Sequence, residues 1–109
     1  MNIKHAQYML TVLQEGNITN AAKKLYISQP SLSQMIKLVE NNLGTPIFNR
    51  STDPITLTYA GQRYMEAARQ VLAINENLKK EIEEITHEDH GKFRLGIPIQ
   101  RGMQVLPYV

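Results

Sequence analysis

The chain has 109 residues, a formal net charge of +2 and no cysteine. This length suits one domain with an ordinary hydrophobic core, and the missing cysteine excludes disulfides and thiolate metal sites. No apolar run approaches the roughly 20 residues that a membrane-spanning helix needs, and the opening segment MNIKHAQY lacks the apolar core of a signal peptide. We therefore expect a soluble, cytoplasmic protein.

Charge is distributed unevenly along the chain. Residues 1–57 carry five cationic and three acidic side chains, whereas residues 58–91 carry four cationic and seven acidic ones. A mildly basic front and an acidic middle are expected if the front approaches DNA and the middle faces protein. The difference is small, so charge alone does not identify a nucleic-acid binder.

Two helices are predicted in the first quarter of the chain. The first is capped by Asn2 and ended by Gly16, and the second is capped by Asn17. The second carries the adjacent pair Ala21 and Ala22, which suits two helices that cross closely. The predicted inward side chains are Ile3, Ala6, Leu10 and Leu13 in the first helix, and Ala21, Ala22 and Leu25 in the second.

A third helix is predicted from Ser28 to Gly44. Ser28 is a favourable cap, and Pro30 stands in the first turn, where a missing N–H costs little. Apolar residues recur at helical spacing on one side only, at Leu32, Ile36, Val39 and Leu43. The other side carries small hydroxyls, amides and one cation, namely Gln29, Ser31, Ser33, Gln34, Lys37 and Asn41.

These three helices predict a helix-turn-helix whose third helix is the recognition helix. Hydroxyls and amides can hydrogen-bond base edges, and a cation can bind phosphate. The alternative is an ordinary three-helix bundle, and periodicity alone does not separate the two. The polar and largely uncharged outer face favours DNA recognition, because a merely solvated helix usually carries more Glu and Lys there.

A small hairpin is predicted after the third helix. Two β-prone runs, residues 46–48 and residues 55–57, flank a polar tip that contains a proline. This is the expected wing of a winged helix, and it can reach a minor groove or phosphates. Its tip holds one cation, Arg50, opposed by Asp53, whereas a wing built for phosphate contact should be more basic.

A long helix is predicted from its cap Thr58 to about Thr86. At ~1.5 Å per residue it measures roughly 40 Å, too long to pack wholly on the preceding domain. Its apolar residues recur at alternating steps of four and three, which is a heptad pattern. Such a pattern is typical of a helix that pairs with a second copy. The alternative is a helix buried within a larger monomer. The polar Asn75 would select the register of such a pair. The predicted dimerisation seam is Tyr64, Ala68, Val71, Asn75, Leu78, Ile82 and Ile85.

The helical pattern is expected to break at HEDHG, residues 87–91, which we predict to be a charged hinge. Residues 92–97, KFRLGI, then alternate polar and apolar side chains as a strand does. Because a single strand cannot stand alone, we predict that it opens a further domain missing from this chain.

The predicted fold class is mainly α, with a winged helix-turn-helix domain at residues 1–58, a linker and dimerisation helix at residues 59–86, and the hinge and first strand at residues 87–109.

The sequence resembles the LysR-type transcriptional regulators. The matching segments are GNITNAAKKL, ISQPSLSQMIKLVENNLGTPIFNR, LTYAG and KFRLGIP, in the family's order and over essentially the whole chain. The resemblance implies a sequence-specific DNA-binding transcriptional regulator that binds pseudo-palindromic promoter sites. It implies a homodimer through antiparallel linker helices, often a tetramer at full length. It also implies a following effector domain that binds a small-molecule co-inducer, with no cofactor in the present chain.

The resemblance assigns roles to individual residues. The positions that read bases in the major groove are Gln29, Pro30, Ser33 and Gln34. The positions that contact phosphate are Asn17, Thr19, Ser31, Lys37 and Arg50.

Gln34 stands where arginine is common and suits adenine rather than guanine. Asp53 stands in a wing that usually carries arginine, which weakens the case for minor-groove contact, and Tyr59 replaces a usual glutamate without evident effect.

Other chemistry has little support in the sequence. His87 and His90 flank two carboxylates, but solvated hinge residues are a simpler interpretation than a metal site. The chain has no phosphate-binding glycine loop and no nucleophile with a base nearby in sequence, so no enzyme is predicted. The remaining alternative is a coiled-coil interaction module whose helix-turn-helix does not read DNA, which the weak net charge and Asp53 favour slightly.

Overall fold

The predicted order of helices and wing is confirmed by a computed structural model that describes residues 1–92, with side chains through residue 87. Over these residues the chain has four helices and one two-stranded antiparallel sheet. The helices are α1 (Ile3–Glu15), α2 (Ile18–Leu25), α3 (Gln29–Leu43) and α4 (Tyr59–Lys92), and the strands are β1 (Phe48–Asn49) and β2 (Thr56–Leu57). None of these helices combines the length and apolar character needed to span a bilayer.

The boundaries of the first three helices are set by local hydrogen bonds that the sequence predicts. The Asn2 side chain accepts two N–H groups at the start of α1, and Asn17 accepts one in α2 at 2.7 Å. Ser28 accepts one in α3 at 3.2 Å. Gly16 and Gly44 follow α1 and α3 with φ of 82° and 79°, a left-handed conformation that glycine adopts without steric cost.

The core lies among α1, α2, α3, the residues before β1 and the first turns of α4. The predicted stripe on α3 is confirmed at Leu32, Ile36 and Val39, whereas Leu43 is 49% exposed beside the helix end. Neighbouring alanines in α2 are both buried, as expected where two helices cross closely.

The buried face of α1 differs from the predicted face. Its fully buried residues are Ala6, Met9 and Val12, while Ile3, Leu10 and Leu13 are only partly buried. Because α1 contacts both α2 and α3, its buried stripe is centred between the two neighbouring helices. Apolar spacing alone does not specify that centre.

The wing is held against the start of α4. Phe48 pairs with Leu57 across the two strands. The Thr58 hydroxyl donates to the Pro46 carbonyl at 2.7 Å and accepts the Gly61 N–H at 2.9 Å, so one side chain caps α4 and joins it to the wing. Gly61 lies so close to the residue before β1 that a Cβ added there would overlap that residue's carbonyl oxygen.

α4 is longer than the sequence predicts. It continues to Lys92, so the predicted hinge at residues 87–91 is helical. That segment lacks proline, and a single glycine costs a helix only about 1 kcal/mol, less than is needed to stop an established helix. The rest of the predicted strand, residues 93–97, lies outside the described residues.

The chain divides into two compact units, Met1–Ile74 and Asn75–Val109. The first unit extends beyond the predicted boundary at residue 58, because the first turns of α4 complete the core. The described part of the second unit is helix, residues 75–92.

The N-terminal part of the predicted dimerisation seam is corrected by this packing. Tyr64 and Ala68 are 8% and 0% exposed within their own domain, so they have almost no surface for a second copy. Burial also raises the pKa of the Tyr64 hydroxyl. Val71 and Asn75 are partly exposed, and about half of each remaining seam side chain is exposed, at Leu78, Ile82 and Ile85.

Gly61→Ala should destabilise the domain by at least about 2 kcal/mol, because the new methyl group has no room beside the Ile47 carbonyl. Helix propensity alone predicts the opposite sign, a gain of about 1 kcal/mol. The free energy of unfolding in urea measures the difference. Gly44→Ala is the matched control, since open space surrounds that position and only its positive φ resists substitution. A more stable Gly61→Ala variant would contradict the observed packing.

Tyr26→Gly should stabilise the domain by about 0.5–1 kcal/mol. Tyr26 ends α2 with φ of 59°, and its side chain is 94% exposed, so the substitution relieves the backbone and removes almost no contact. Tyr26→Ala is the control, because it removes the ring but retains a Cβ. Thermal denaturation of the three proteins compares them, and equal melting temperatures for the glycine and alanine variants would refute the conformational explanation.

Candidate nucleic-acid interface

α3 presents a polar face to solvent because its apolar face is held in the core. Gln29, Pro30 and Gln34 are exposed, and Ser33 is partly exposed. Gln29 Nε2 donates to Ser33 Oγ at 3.1 Å, so an amide and a hydroxyl lie one turn apart along the helix. An amide can pair with N6 and N7 of adenine, and a hydroxyl can bond several base edges. The four residues predicted to read bases therefore share one accessible surface.

Three of the predicted phosphate contacts lie at the N-terminal ends of α2 and α3. Ser31 is exposed, and its hydroxyl accepts a hydrogen bond from Ser28 at 2.8 Å, so its own hydrogen can donate elsewhere. Thr19 is exposed in the first turn of α2. Asn17 uses its side-chain oxygen as the cap, which leaves its NH₂ group to donate. Donors at helix N-termini are suited to phosphate oxygens.

An open groove of about 660 Å³ lies between the C-terminal half of α3, the start of α2 and the wing. It brings Lys37 and Arg50, the other two predicted phosphate contacts, beside Ser33, which is predicted to read bases. The groove is lined by Ile18, Ser33, Lys37, Glu40, Asn41, Gly44, Thr45, Pro46 and Arg50. Two cations therefore flank the polar face of α3.

Glu40 is a residue of this surface that the sequence analysis missed. Its Oε2 accepts the backbone N–H groups of Ile47 at 2.8 Å and Phe48 at 3.2 Å. Its Oε1 lies 3.5 Å from Arg50 Nη2, and the glutamate side chain is only 11% exposed. The one signal in the sequence is that Glu40 is the sole acidic residue between Glu15 and Asp53.

The tip of the wing is a turn built from local hydrogen bonds. The Asn49 side chain accepts from both the N–H and the hydroxyl of Ser51, at 3.2 and 2.6 Å. Thr52 and Thr56 hydroxyls lie 2.9 Å apart across the turn. Asp53 is exposed at this tip. The structure thus brings Arg50 to the groove but leaves a carboxylate at the tip.

Comparison with known proteins places these features in a family. The family of bacterial regulatory helix-turn-helix proteins, lysR family, matches residues 3–62. BudR of Klebsiella aerogenes, an HTH-type transcriptional regulator, is 38% identical over 97 residues, which cover 89% of this chain and 68% of BudR. The chain spans about a third of the length of several other relatives.

Solved structures agree with the sequence relatives. The DNA-binding domain of BenM in complex with catB site 1 DNA matches with a TM-score of 0.77 and 30% identity, over 83% of this chain and 97% of that one. Full-length LysG from Corynebacterium glutamicum with bound effector Arg matches with a TM-score of 0.74 and 28% identity, over 81% of this chain and 30% of that one. From its helix-turn-helix, its wing and these matches, the chain belongs to the LysR family of bacterial regulatory proteins.

Proposed function

We propose that the chain is the DNA-binding part of a transcriptional regulator that reads a pseudo-palindromic promoter site as a homodimer. The observation that carries this proposal is the exposed amide and hydroxyl face of α3, where Gln29 is bonded to Ser33 beside a groove that holds Lys37 and Arg50. Such a face fits base edges in a major groove, and the cations fit phosphates. The similarity to a BenM domain bound to DNA supports this docking.

In this proposal the residues divide into two classes. Base edges are read by Gln29, Pro30, Ser33 and Gln34. Phosphates are bound by Asn17, Thr19, Ser31, Lys37 and Arg50. All nine side chains are exposed or partly exposed, and the groove brings Ser33, Lys37 and Arg50 together. An amide at Gln34 favours adenine at the base it contacts.

The proposed dimer contact is the exposed apolar seam on α4. Leu78, Ile82 and Ile85 are about half exposed and recur at steps of four and three, the spacing of a paired helix. Val71 and Asn75, which are partly exposed, continue the seam on its N-terminal side. Two helices that bury these side chains would place two recognition helices on one duplex, and longer family members would then form tetramers from such dimers.

The whole protein is proposed to respond to a small molecule. The chain spans about a third of several relatives, and LysG, which it also resembles, was solved with bound effector Arg. We place the co-inducer site in sequence beyond the DNA-binding part, and none in residues 1–92. A regulator that binds bacterial chromosomal DNA acts in the cytoplasm, so we assign that location.

The second candidate is a protein-interaction module whose helix-turn-helix does not read DNA, favoured by the exposed apolar side chains of α4 and the carboxylate at Asp53. Selection of bound duplexes from a randomised pool separates the two. A regulator should enrich one half-site motif, repeated with dyad symmetry, and log affinity for it should fall with log salt concentration. Failure to enrich any sequence, or binding that does not depend on salt, would favour the interaction module.

Gln29→Ala and Lys37→Ala should weaken binding in different ways. Loss of the Gln29 amide should cost about 1–3 kcal/mol on the selected duplex and relax base preference at one position. Loss of the Lys37 charge should weaken all duplexes alike and make the salt slope shallower by about one. Fluorescence anisotropy with the selected duplex and its single-base variants measures both effects. Identical losses on every duplex for the two variants would contradict the division of roles.

Leu78→Asp should convert the dimer to monomers, because a buried carboxylate in the seam has no partner. Sedimentation equilibrium gives the mass, and affinity for the full palindrome should fall more than affinity for a half-site. Asn77→Asp is the control, since it adds the same charge at the neighbouring exposed position outside the seam. An unchanged mass for Leu78→Asp would show that the seam does not join two copies.

A further inference from the structure

Glu40 is an unusual residue for a surface that binds an anion. Among the residues whose side chains the structure describes, it is the one acidic side chain lining the groove between α3 and the wing, and it is 11% exposed. A carboxylate near bound phosphates weakens binding unless a cation neutralises it. From its charge alone, Glu40 is therefore expected to lower the affinity for DNA.

The contacts of Glu40 point to a different role. One oxygen, Oε2, accepts the first two N–H groups of the wing, from Ile47 and Phe48. The other, Oε1, faces Arg50 Nη2 at 3.5 Å. One carboxylate thus joins the recognition helix, the wing backbone and the wing cation.

Arg50 retains the capacity to bind phosphate while it is paired. A guanidinium has five N–H donors in a planar fork, and only Nη2 is placed against Glu40 in this ion pair. The Arg50 side chain is 48% exposed and lines the groove beside Lys37 and Ser33. The remaining donors can therefore reach a phosphate that passes along the groove.

We propose that Glu40 is a positioning residue for DNA binding, which holds the Arg50 guanidinium at the groove edge so that it meets a phosphate with little loss of side-chain freedom. Fixing a long cationic side chain before binding lowers the entropy cost of the contact. The inference rests on the DNA-binding function proposed above. It gives the acidic residue a favourable effect on affinity, opposite in sign to the effect of its charge alone.

The test is Glu40→Gln in the 109-residue chain, with the duplex selected from the randomised pool as the probe. A glutamine oxygen can still accept the two wing N–H groups, whereas its NH₂ group cannot hold Arg50. We expect Arg50→Ala to bind more weakly, with a salt slope shallower by about one. Glu40→Gln should also bind more weakly, by no more than Arg50→Ala, because the freed guanidinium keeps its charge but loses more side-chain freedom when it meets a phosphate. The double variant should bind no more weakly than Arg50→Ala alone.

Glu66→Gln is the matched control, because it removes the same charge and breaks an ion pair with Arg63 at 3.1 Å on exposed α4. It should leave both the affinity and the salt slope unchanged. The inference is overturned if Glu40→Gln binds more tightly, or if its losses add to those of Arg50→Ala. It is also overturned if Arg50→Ala alone leaves the salt slope unchanged, because Arg50 would then make no phosphate contact for Glu40 to support. By contrast, a wild-type chain that enriches no duplex refutes the proposed function itself.

Discussion

Burial of one apolar stripe of α3 determines which of its side chains face solvent. Leu32, Ile36 and Val39 are held in the core, so the amides of Gln29 and Gln34 must lie in solvent. Turning the helix by one residue, about 100°, would expose the aliphatic side chains and bury amides without hydrogen-bond partners. The hydrophobic effect therefore sets the direction in which the face proposed to read DNA points.

The wing is positioned from both neighbouring helices, which makes it part of the same surface. Glu40 in α3 accepts the N–H groups of Ile47 and Phe48 at the start of β1, and Thr58 before α4 donates to the Pro46 carbonyl. Gly61 lets α4 approach that backbone without a side chain between them. Because these contacts fix the wing relative to α3, Arg50 reaches the groove even though the tip carries Asp53.

α4 packs in the core with its first turns and leaves apolar side chains exposed on its later turns. Its first turns contribute Tyr64, Met65 and Ala68 to the core of the first unit. Its later turns carry Leu78 and Ile82, whose apolar side chains are about half exposed. A single continuous helix can thus serve both the domain and a partner, since heptad spacing suits packing against either.

The features that could be predicted from the sequence are those that depend on neighbours along the chain. Spacing and residue type were enough to predict the caps at Asn17 and Ser28, the apolar stripe of α3 and the hairpin, because these are local patterns. Which surface covers each apolar stripe depends instead on contacts between distant segments of the chain. Tyr64 and Ala68 follow the same period whether they face their own core or a second copy, and only the folded chain shows that they face the core. Glu40 was hidden for a related reason: its partners lie seven to ten residues away, across a turn that brings the wing back to α3.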